Sequence, residues 1–231
     1  MNDYMIYYGL TLLAFGITFG TQLYIQSTYS KYSQIPNKSG FTGARTANEI
    51  LYRNGLENLI VTQTNNGALT DHYDPRNLSV TLSQHSYSAS SIAAMAVAAH
   101  ECGHAVQDKE RYAFLRLRNS LIPAVNFASY GGYLAIMIGL FSGISNIIWI
   151  GIAMECVILL FQIVTLPVEF DASSRALTMI RDYGLADGEE LEGCRTVLNA
   201  AALTYVAGVA SSFLQILRLV LIYGGRRNRR D

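Results

Sequence analysis

Long uncharged stretches rich in apolar side chains alternate with polar segments along the chain. The first apolar stretch runs from Tyr4 to Ile25, within an interval that carries no charge between Asp3 and Lys31. As one helix it is long enough to cross a hydrocarbon core of about 30 Å. A cleaved signal peptide has a basic start and a small-residue cleavage site, which this segment lacks. We therefore predict that residues 1–30 form a retained N-terminal transmembrane anchor.

The second apolar interval, residues 119–165, is too long for a single membrane span. Turn-forming residues interrupt it at Gly139–Asn146. The pattern predicts a transmembrane helical hairpin, with one span near Ile122–Leu140 and the other near Ile144–Thr165.

A further apolar stretch, Ala200–Tyr223, contains Arg218 and leads into an arginine-rich tail, so residues 200–231 are predicted to be an apolar helix with a basic end. Basic residues near the spans border both large polar segments, residues 31–118 and 166–199. Since cytoplasmic loops carry the excess of Lys and Arg, we predict that both segments are cytoplasmic. A fully crossing last stretch would place its basic tail outside, against this rule. Either that stretch does not cross the membrane or the number of spans differs by one. We therefore expect three or four transmembrane helices.

The polar segment of residues 31–118 contains helix-like and strand-like patterns. A helical pattern that begins at Thr42 stops at Asn54-Gly55, where the glycine suits a helix C-cap. Apolar and polar side chains alternate at Asn58–Thr64 and at Asn77–Ser83, which predicts a small sheet of two or three strands. Turn sequences separate the two runs: Asn66-Gly67 and Asp74-Pro75.

The end of the same segment is rich in alanine and free of proline between Ser91 and Gln107. This composition predicts a helix, with Ser90 or Ser88 as its N-cap. The predicted fold class is thus a mainly α membrane protein with a small β-sheet and three or four transmembrane helices.

Composition agrees with this class. Of the 231 residues, 51% are apolar and 15% are charged, and the mean hydropathy is +0.22. The 17 basic and 17 acidic residues leave no net charge, so no overall field favours nucleic acid, and we expect no nucleic-acid partner. The three cysteines contain no CxxC pair for zinc or a redox disulfide, and they suit a reducing compartment.

The run His100-Glu101-Cys102-Gly103-His104 is an HExxH motif within the predicted alanine-rich helix. Residues four apart share one face of a helix, so the two imidazoles can bind one Zn²⁺ ion. Glu101 can reach a water molecule on that metal and accept its proton. Surface histidines on an ordinary amphipathic helix are the alternative interpretation. Cys102 points to the other side of the helix, and we expect it to be buried.

Catalytic zinc takes a third protein ligand, and our candidate is Glu169, which follows the predicted hairpin. Pro167 suits the first turn of a helix that starts where the third span leaves the bilayer. Asp171 is the competing ligand. An acidic first turn stabilised by the helix dipole, without a metal, is the remaining interpretation of both carboxylates.

Nearly the whole chain resembles the bacterial membrane-bound neutral zinc metallopeptidases of the YugP type. Four segments carry the resemblance: Asp71–Pro75, Ala99–Gln107, Pro167–Leu177 and Ala201–Ala207. It implies a zincin-like, zinc-dependent endopeptidase of gluzincin layout, distantly similar to CAAX-prenyl proteases and heat-shock membrane proteases. By that likeness Glu101 is the catalytic base, and three side chains bind the Zn²⁺ cofactor: His100, His104 and Glu169.

The distant relatives carry an aspartate four residues after the ligand glutamate, where this chain has Ser173. Asp171 is therefore a candidate for orienting a metal-bound histidine. The mechanism also needs a donor for the developing oxyanion. The candidates are His72, Tyr205 and Arg175. Each also has an ordinary interpretation: His72 as a turn histidine, Tyr205 as a core tyrosine and Arg175 as a solvated arginine.

These features predict hydrolysis of a peptide or protein substrate by a protein of the bacterial plasma membrane, with the active site facing the cytoplasm. We expect the strand Asn77–Ser83 either to bind an extended substrate along its open edge or simply to pack. Glu155 lies inside the third predicted span. It either pairs with Arg218 or stays protonated inside the bundle while Arg218 reaches the interface.

Two other functions fit parts of the pattern. An intramembrane protease of the site-2 type needs a ligand aspartate within another span, whereas the only Asp-Gly, Asp187-Gly188, indicates a solvated helix start. A non-catalytic membrane scaffold with structural zinc usually closes its site with four protein ligands. The three predicted ligands and the intact Glu101 favour the enzyme.

Overall fold

The computed structural model describes residues 3–65, 67 and 69–227. Within these residues the chain forms seven helices and three strands. In chain order they are α1 (Asp3–Ser33), α2 (Gly43–Arg53), β1 (Ile60–Thr64), β2 (His72–Asp74), β3 (Ser79–Ser83), α3 (Gln84–Ser88), α4 (Ile92–Lys109), α5 (Ala113–Ser142), α6 (Ser145–Asp182) and α7 (Gly188–Arg227). Asn66 of the first predicted turn and the tail residues Arg229 and Arg230 lie outside the described residues.

The chain divides into two compact units. We call Met1–Gln22, Arg116–Leu166 and Thr204–Asp231 the span unit. We call Leu23–Leu115 and Pro167–Leu203 the sheet unit. The four long helices α1, α5, α6 and α7 each contribute residues to both units.

Four helices of the described chain are long and apolar enough to cross a membrane: α1, α5, α6 and α7. This confirms the predicted class of a mainly α membrane protein with a small sheet. The prediction of a separate helix starting at Pro167 was wrong, because α6 continues through this proline. Proline removes one helical hydrogen bond, but the long helices of membrane proteins tolerate it where neighbouring groups compensate. Glu169 therefore lies on the same continuous helix as the third apolar stretch.

Helices α5 and α6 form a hairpin whose two helices approach each other closely at small residues. A Cβ atom added at Gly139 would lie 2.5 Å from the Cγ1 atom of Ile148, and one added at Gly151 would lie 2.5 Å from the Cγ1 atom of Ile136. Small residues at such positions allow the dispersion contacts that hold transmembrane helices together. Gly143, with φ of +72°, makes the turn between the two helices.

Polar contacts join α1 to α7 within the span unit. The Oγ1 atom of Thr18 lies 2.8 Å from the Oγ atom of Ser211, and Nη1 of Arg218 donates to Oγ1 of Thr11 over 2.7 Å. An ion pair between Glu155 and Arg218, one of the two alternatives left open by the sequence, is not among those formed by the described residues. Arg218 instead donates to the hydroxyl group of Thr11.

The sheet has the strand order β1-β3-β2, with β3 parallel to β1 and antiparallel to β2. The two strands predicted from alternation are present, and β2 is the third. Of the two alternatives for the Asn77–Ser83 strand, the open substrate-binding edge is wrong, because β3 forms ladders on both sides, and the packing strand is the one found. Its buried Val80 and Leu82 explain the central position, since an inner strand is covered by its neighbours and by packed helices.

Helix α4 lies in the core of the sheet unit. Its N-cap is Ser91, whose Oγ atom accepts the backbone N–H of Ala94, rather than the predicted Ser90 or Ser88. Ser88 instead ends the short helix α3. The core combines side chains from α2, β3, α4, α6 and α7: Ile50, Val80, Leu82, Met95, Ile180 and Leu198. This packing holds the HExxH helix rigidly inside the unit.

Candidate metal centre

The two histidines of the HExxH motif lie one turn apart on α4, as the spacing predicts. The centroids of the His100 and His104 rings are 4.8 Å apart, with 82° between the ring planes. His104 is buried and His100 is partly exposed. Cys102 is fully buried on another face of the helix, in agreement with the prediction, and burial raises the pKa of its thiol.

Glu169 approaches both imidazoles from α6. Its Oε2 atom lies 3.3 Å from Nε2 of His100 and 3.6 Å from Nε2 of His104. Among the described residues, these three side chains form a group whose potential ligand atoms all lie within 4.8 Å of one another. The structure thus brings together the three side chains that the sequence suggested as a metal triad.

The donor set and its spacing fit a zinc ion. Two imidazole nitrogens and one carboxylate oxygen are a common protein ligand set for catalytic zinc, which keeps a further position for water or substrate. Zinc–ligand distances near 2.0–2.1 Å with tetrahedral angles put donor atoms roughly 3.3 Å apart. The separations of 3.3 and 3.6 Å between Glu169 and the two histidines are close to that value.

In each imidazole the Nε2 atom faces Glu169, and the other ring nitrogen, Nδ1, has its own partner. The Nδ1 atom of His100 lies 3.2 Å from the Oγ atom of Ser173, and Nδ1 of His104 lies 2.9 Å from Oε1 of Gln107. An amide oxygen only accepts, so the His104 contact requires the N–H on Nδ1 and leaves the lone pair of Nε2 for a metal. Ser173, at the position where the distant relatives have aspartate, supplies a neutral partner.

Asp171 contacts neither histidine among the hydrogen bonds formed by the described residues. Its Oδ2 atom accepts from Nε2 of Gln107 over 2.8 Å and from Nε of Arg175 over 2.5 Å. Arg175 in turn donates from Nη1 to Oε2 of Glu110 over 2.6 Å. Asp171 thus acts on His104 only through Gln107, and Arg175 is held by two carboxylates.

The other two suggested oxyanion donors are His72 and Tyr205. His72 is exposed on β2, with its Nδ1 atom 2.9 Å from the backbone oxygen of Thr70. Tyr205 lies on α7, within the span unit, and is 39% exposed. Asp187-Gly188, considered for a site-2-type protease, stands where α7 begins.

Glu101 is buried beside the triad. Glu101 follows His100 directly in the sequence of α4, and its side chain is buried, with the residue only 8% exposed. Burial raises the pKa of the Glu101 carboxyl, against the opposing effect of the imidazoles of His100 and His104. Burial also works against protonation of His104, but the carboxylates of Glu169 and Glu101 raise its pKa overall.

Two further contacts shape the site, and sequence reasoning named a partner for neither. One is Gln107, whose only signal was a position three residues after His104, where a helical side chain can reach back to the preceding turn. The other is the contact between Gly103 and α6: a Cβ atom at Gly103 would lie 2.6 Å from the backbone oxygen of Ala172. The glycine within the motif therefore allows the helix with Glu169 to approach.

The fold and the site describe a helical membrane protein with a His-His-Glu group that could hold a metal ion. Residues 7–224 match the family described as "Putative neutral zinc metallopeptidase", and the chain belongs to this family. It is 44% identical over 219 residues to the protein of Bacillus subtilis (strain 168) named "Putative membrane protease YugP". The match covers 95% of this chain and 97% of that relative. No solved structure shows significant similarity to the chain.

Proposed function

We propose that the protein is a zinc-dependent endopeptidase of gluzincin type that hydrolyses peptide bonds at the triad. The observation that carries this proposal is the convergence of three ligand atoms from two helices within 4.8 Å. Membership of a zinc metallopeptidase family supports the choice of zinc. Three protein ligands, rather than four, suit a catalytic rather than a structural ion.

In this proposal His100, His104 and Glu169 hold the ion, which when bound polarises the scissile carbonyl and lowers the pKa of water. Glu101 takes a proton from the attacking water and passes it to the leaving amine as the peptide bond breaks. Its position next to His100 and its burial keep the carboxylate close to the reacting atoms and away from bulk solvent.

The substrate is a peptide or protein that reaches the sheet unit at the membrane. Because β3 is paired on both sides, the strand that ends the sheet near α4 is β2. Tyr73 of β2 donates from its hydroxyl to Oδ2 of Asp108 over 2.9 Å, which fixes this strand to the HExxH helix. We propose that an extended substrate segment pairs with the outer edge of β2. We further propose that the protein resides in the bacterial plasma membrane with the triad on the cytoplasmic side.

The Glu101→Gln substitution tests the proposed function. We expect cleavage of a casein-type substrate to fall by about 10²–10⁴-fold, because the amide cannot accept the proton, while zinc remains near one ion per chain. Activity would be measured on purified protein in detergent, and zinc by elemental analysis.

The matched control is Glu57→Gln, which changes an exposed glutamate of the same unit and leaves cleavage unchanged. Persistent cleavage by the Glu101→Gln protein would contradict the assignment of the base. Zinc-free wild-type protein that cleaves as fast as the zinc-loaded protein would contradict the proposed function itself.

A further inference from the structure

Gln107 is a fully buried polar side chain between the two helices that carry the triad. Its exposed fraction is 0%, and each of its polar atoms has a partner. The Oε1 atom faces Nδ1 of His104 at 2.9 Å. The Nε2 atom donates to the backbone oxygen of Val168 and to Oδ2 of Asp171, both over 2.8 Å. One amide group thus contacts a ligand histidine on α4 and two groups on α6.

The contact on α6 lies directly beside the third ligand. Val168 precedes Glu169 in the chain, so the amide nitrogen of Gln107 holds the backbone at the residue before the carboxylate. The amide oxygen holds the ring of His104 at the same time. A displacement of one helix along the other would lengthen at least one of these bonds. The planar amide of Gln107 therefore fixes the distance between His104 and Glu169.

A chain of charged groups fixes the outer end of this contact. Asp171 accepts hydrogen bonds from Gln107 and Arg175. Arg175 also donates to Glu110, the C-cap residue of α4. The hydrogen bonds therefore form a closed path that starts on α4 at His104, passes through α6 and ends on α4 at Glu110. The buried part of this set, at Gln107, resists sliding of α6 against α4, since buried polar groups cost free energy when they lose their partners, whereas the exposed pair of Arg175 and Glu110 adds little.

The chemistry of these contacts requires an amide. His104 needs an acceptor, while the Val168 oxygen and the Asp171 carboxylate need a donor. Glutamine supplies both from one side chain, glutamate supplies only acceptors, and alanine supplies neither. Groups that orient metal-bound histidines change metal affinity by about 10- to 100-fold when they are removed.

We propose that Gln107 is a positioning residue that sets zinc affinity: its amide orients His104 and holds the helix of Glu169 at the distance the ion requires. The inference rests on the proposed function in that zinc is the ion bound. The inference assigns one role to Gln107: it holds the metal site in its binding geometry before the ion arrives. The ligands that it holds, His104 and Glu169, are 65 residues apart in the chain.

The test measures the zinc dissociation constant of the purified full-length protein by competition with a chromophoric chelator. We expect Gln107→Ala and Gln107→Glu each to weaken binding about 10- to 100-fold. Asp171→Asn alone keeps an oxygen for Gln107 and Arg175, so its dissociation constant stays within about threefold of wild type. Gln63→Ala, at an exposed glutamine of β1, is the matched control without effect.

The double variant Gln107→Glu/Asp171→Asn distinguishes positioning from general structural damage. In it the new asparagine can donate to the new glutamate, which still accepts from His104. The contact between positions 107 and 171 is thus restored with donor and acceptor exchanged, while the Val168 oxygen stays without its donor. We expect it to bind zinc at least about threefold more tightly than Gln107→Glu alone. Melting of the metal-free proteins reports the structural contribution separately.

Two results would overturn the inference: a Gln107→Ala protein with a dissociation constant within twofold of wild type, or a double variant no better than Gln107→Glu. If Gln107→Ala does not fold, the comparison of Gln107→Glu with the double variant decides. Wild-type protein without affinity for zinc would instead overturn the proposed function, and this inference with it, so the two failures are distinguishable.

Discussion

Two carboxylates on α6, Glu169 and Asp171, competed for the role of third ligand, and their spacing on the helix separates them. Residues two apart are rotated by about 200° around an α-helix, so the two carboxylates cannot both reach the imidazoles of α4. Glu169 points at the imidazoles and is 2% exposed, whereas Asp171 meets Gln107 and Arg175. The geometry of a single helical turn thus assigns different partners to two similar side chains.

This difference predicts opposite outcomes for two conservative substitutions. Glu169→Gln removes the negative charge from the ligand set, and we expect zinc affinity to fall at least about tenfold. Asp171→Asn leaves the ligands unchanged and serves as the matched control. Zinc content after dialysis against a weak chelator measures both. Full zinc occupancy in Glu169→Gln, with loss in Asp171→Asn, would transfer the third ligand to Asp171.

At the scale of elements, the distance between α4 and α6 decides whether ligands from both can meet. Gly103 lies at a close approach of the two helices, where an added Cβ would be 2.6 Å from the backbone oxygen of Ala172. A backbone atom cannot rotate away, so a larger residue would have to push the two helices apart. The glycine in the motif is therefore required by packing, in addition to the spacing of the histidines.

We expect Gly103→Ala to lower the free energy of unfolding by about 1–3 kcal/mol, through overpacking, and to weaken zinc binding by moving Glu169 outward. Thermal melting with and without zinc measures the two effects. Gly208→Ala is the matched control, because that helical glycine has no heavy atom within 4 Å of an added Cβ. A Gly103→Ala protein as stable and as zinc-avid as wild type would show that the contact does not limit the approach.

At the scale of the whole molecule, the four candidate spans raise the question of how the chain is oriented in a membrane. With every one of them crossing, the turn at Gly143 and the basic C-terminal tail share one side, and the polar segments 31–118 and 166–199 share the other. The basic residues around the polar segments favour the cytoplasm for them. The arginine-rich tail then lies outside, against the same rule, so charge alone gives two conflicting indications of orientation.

Cysteine labelling in bacterial spheroplasts tests the orientation. In a Cys156→Ser background, where Cys102 and Cys194 are buried, we expect Ser142→Cys to react with a membrane-impermeant maleimide from outside. We expect Glu57→Cys to react only after permeabilisation. The reverse pattern would place the triad outside the cell and the C-terminal tail in the cytoplasm.

Much of this protein follows from local patterns. The apolar stretches predict three or four long helices because membrane thickness sets a minimum length for each. The HExxH spacing predicts two imidazoles on one face because helix geometry depends only on neighbouring residues. Alternation predicts β1 and β3 for the same reason. These properties need no knowledge of distant parts of the chain.

The tertiary structure alone decided the rest. The pairing of β3 on both edges, the contact of Gly103 with Ala172 and the path from His104 through Gln107 to Asp171 all join residues far apart in sequence. Local propensity contains no information about which distant face will pack against a helix, since that choice depends on the total burial and hydrogen bonding of the folded chain. The motif determined the chemistry available on α4, and the packing of α6 determined which carboxylate meets it.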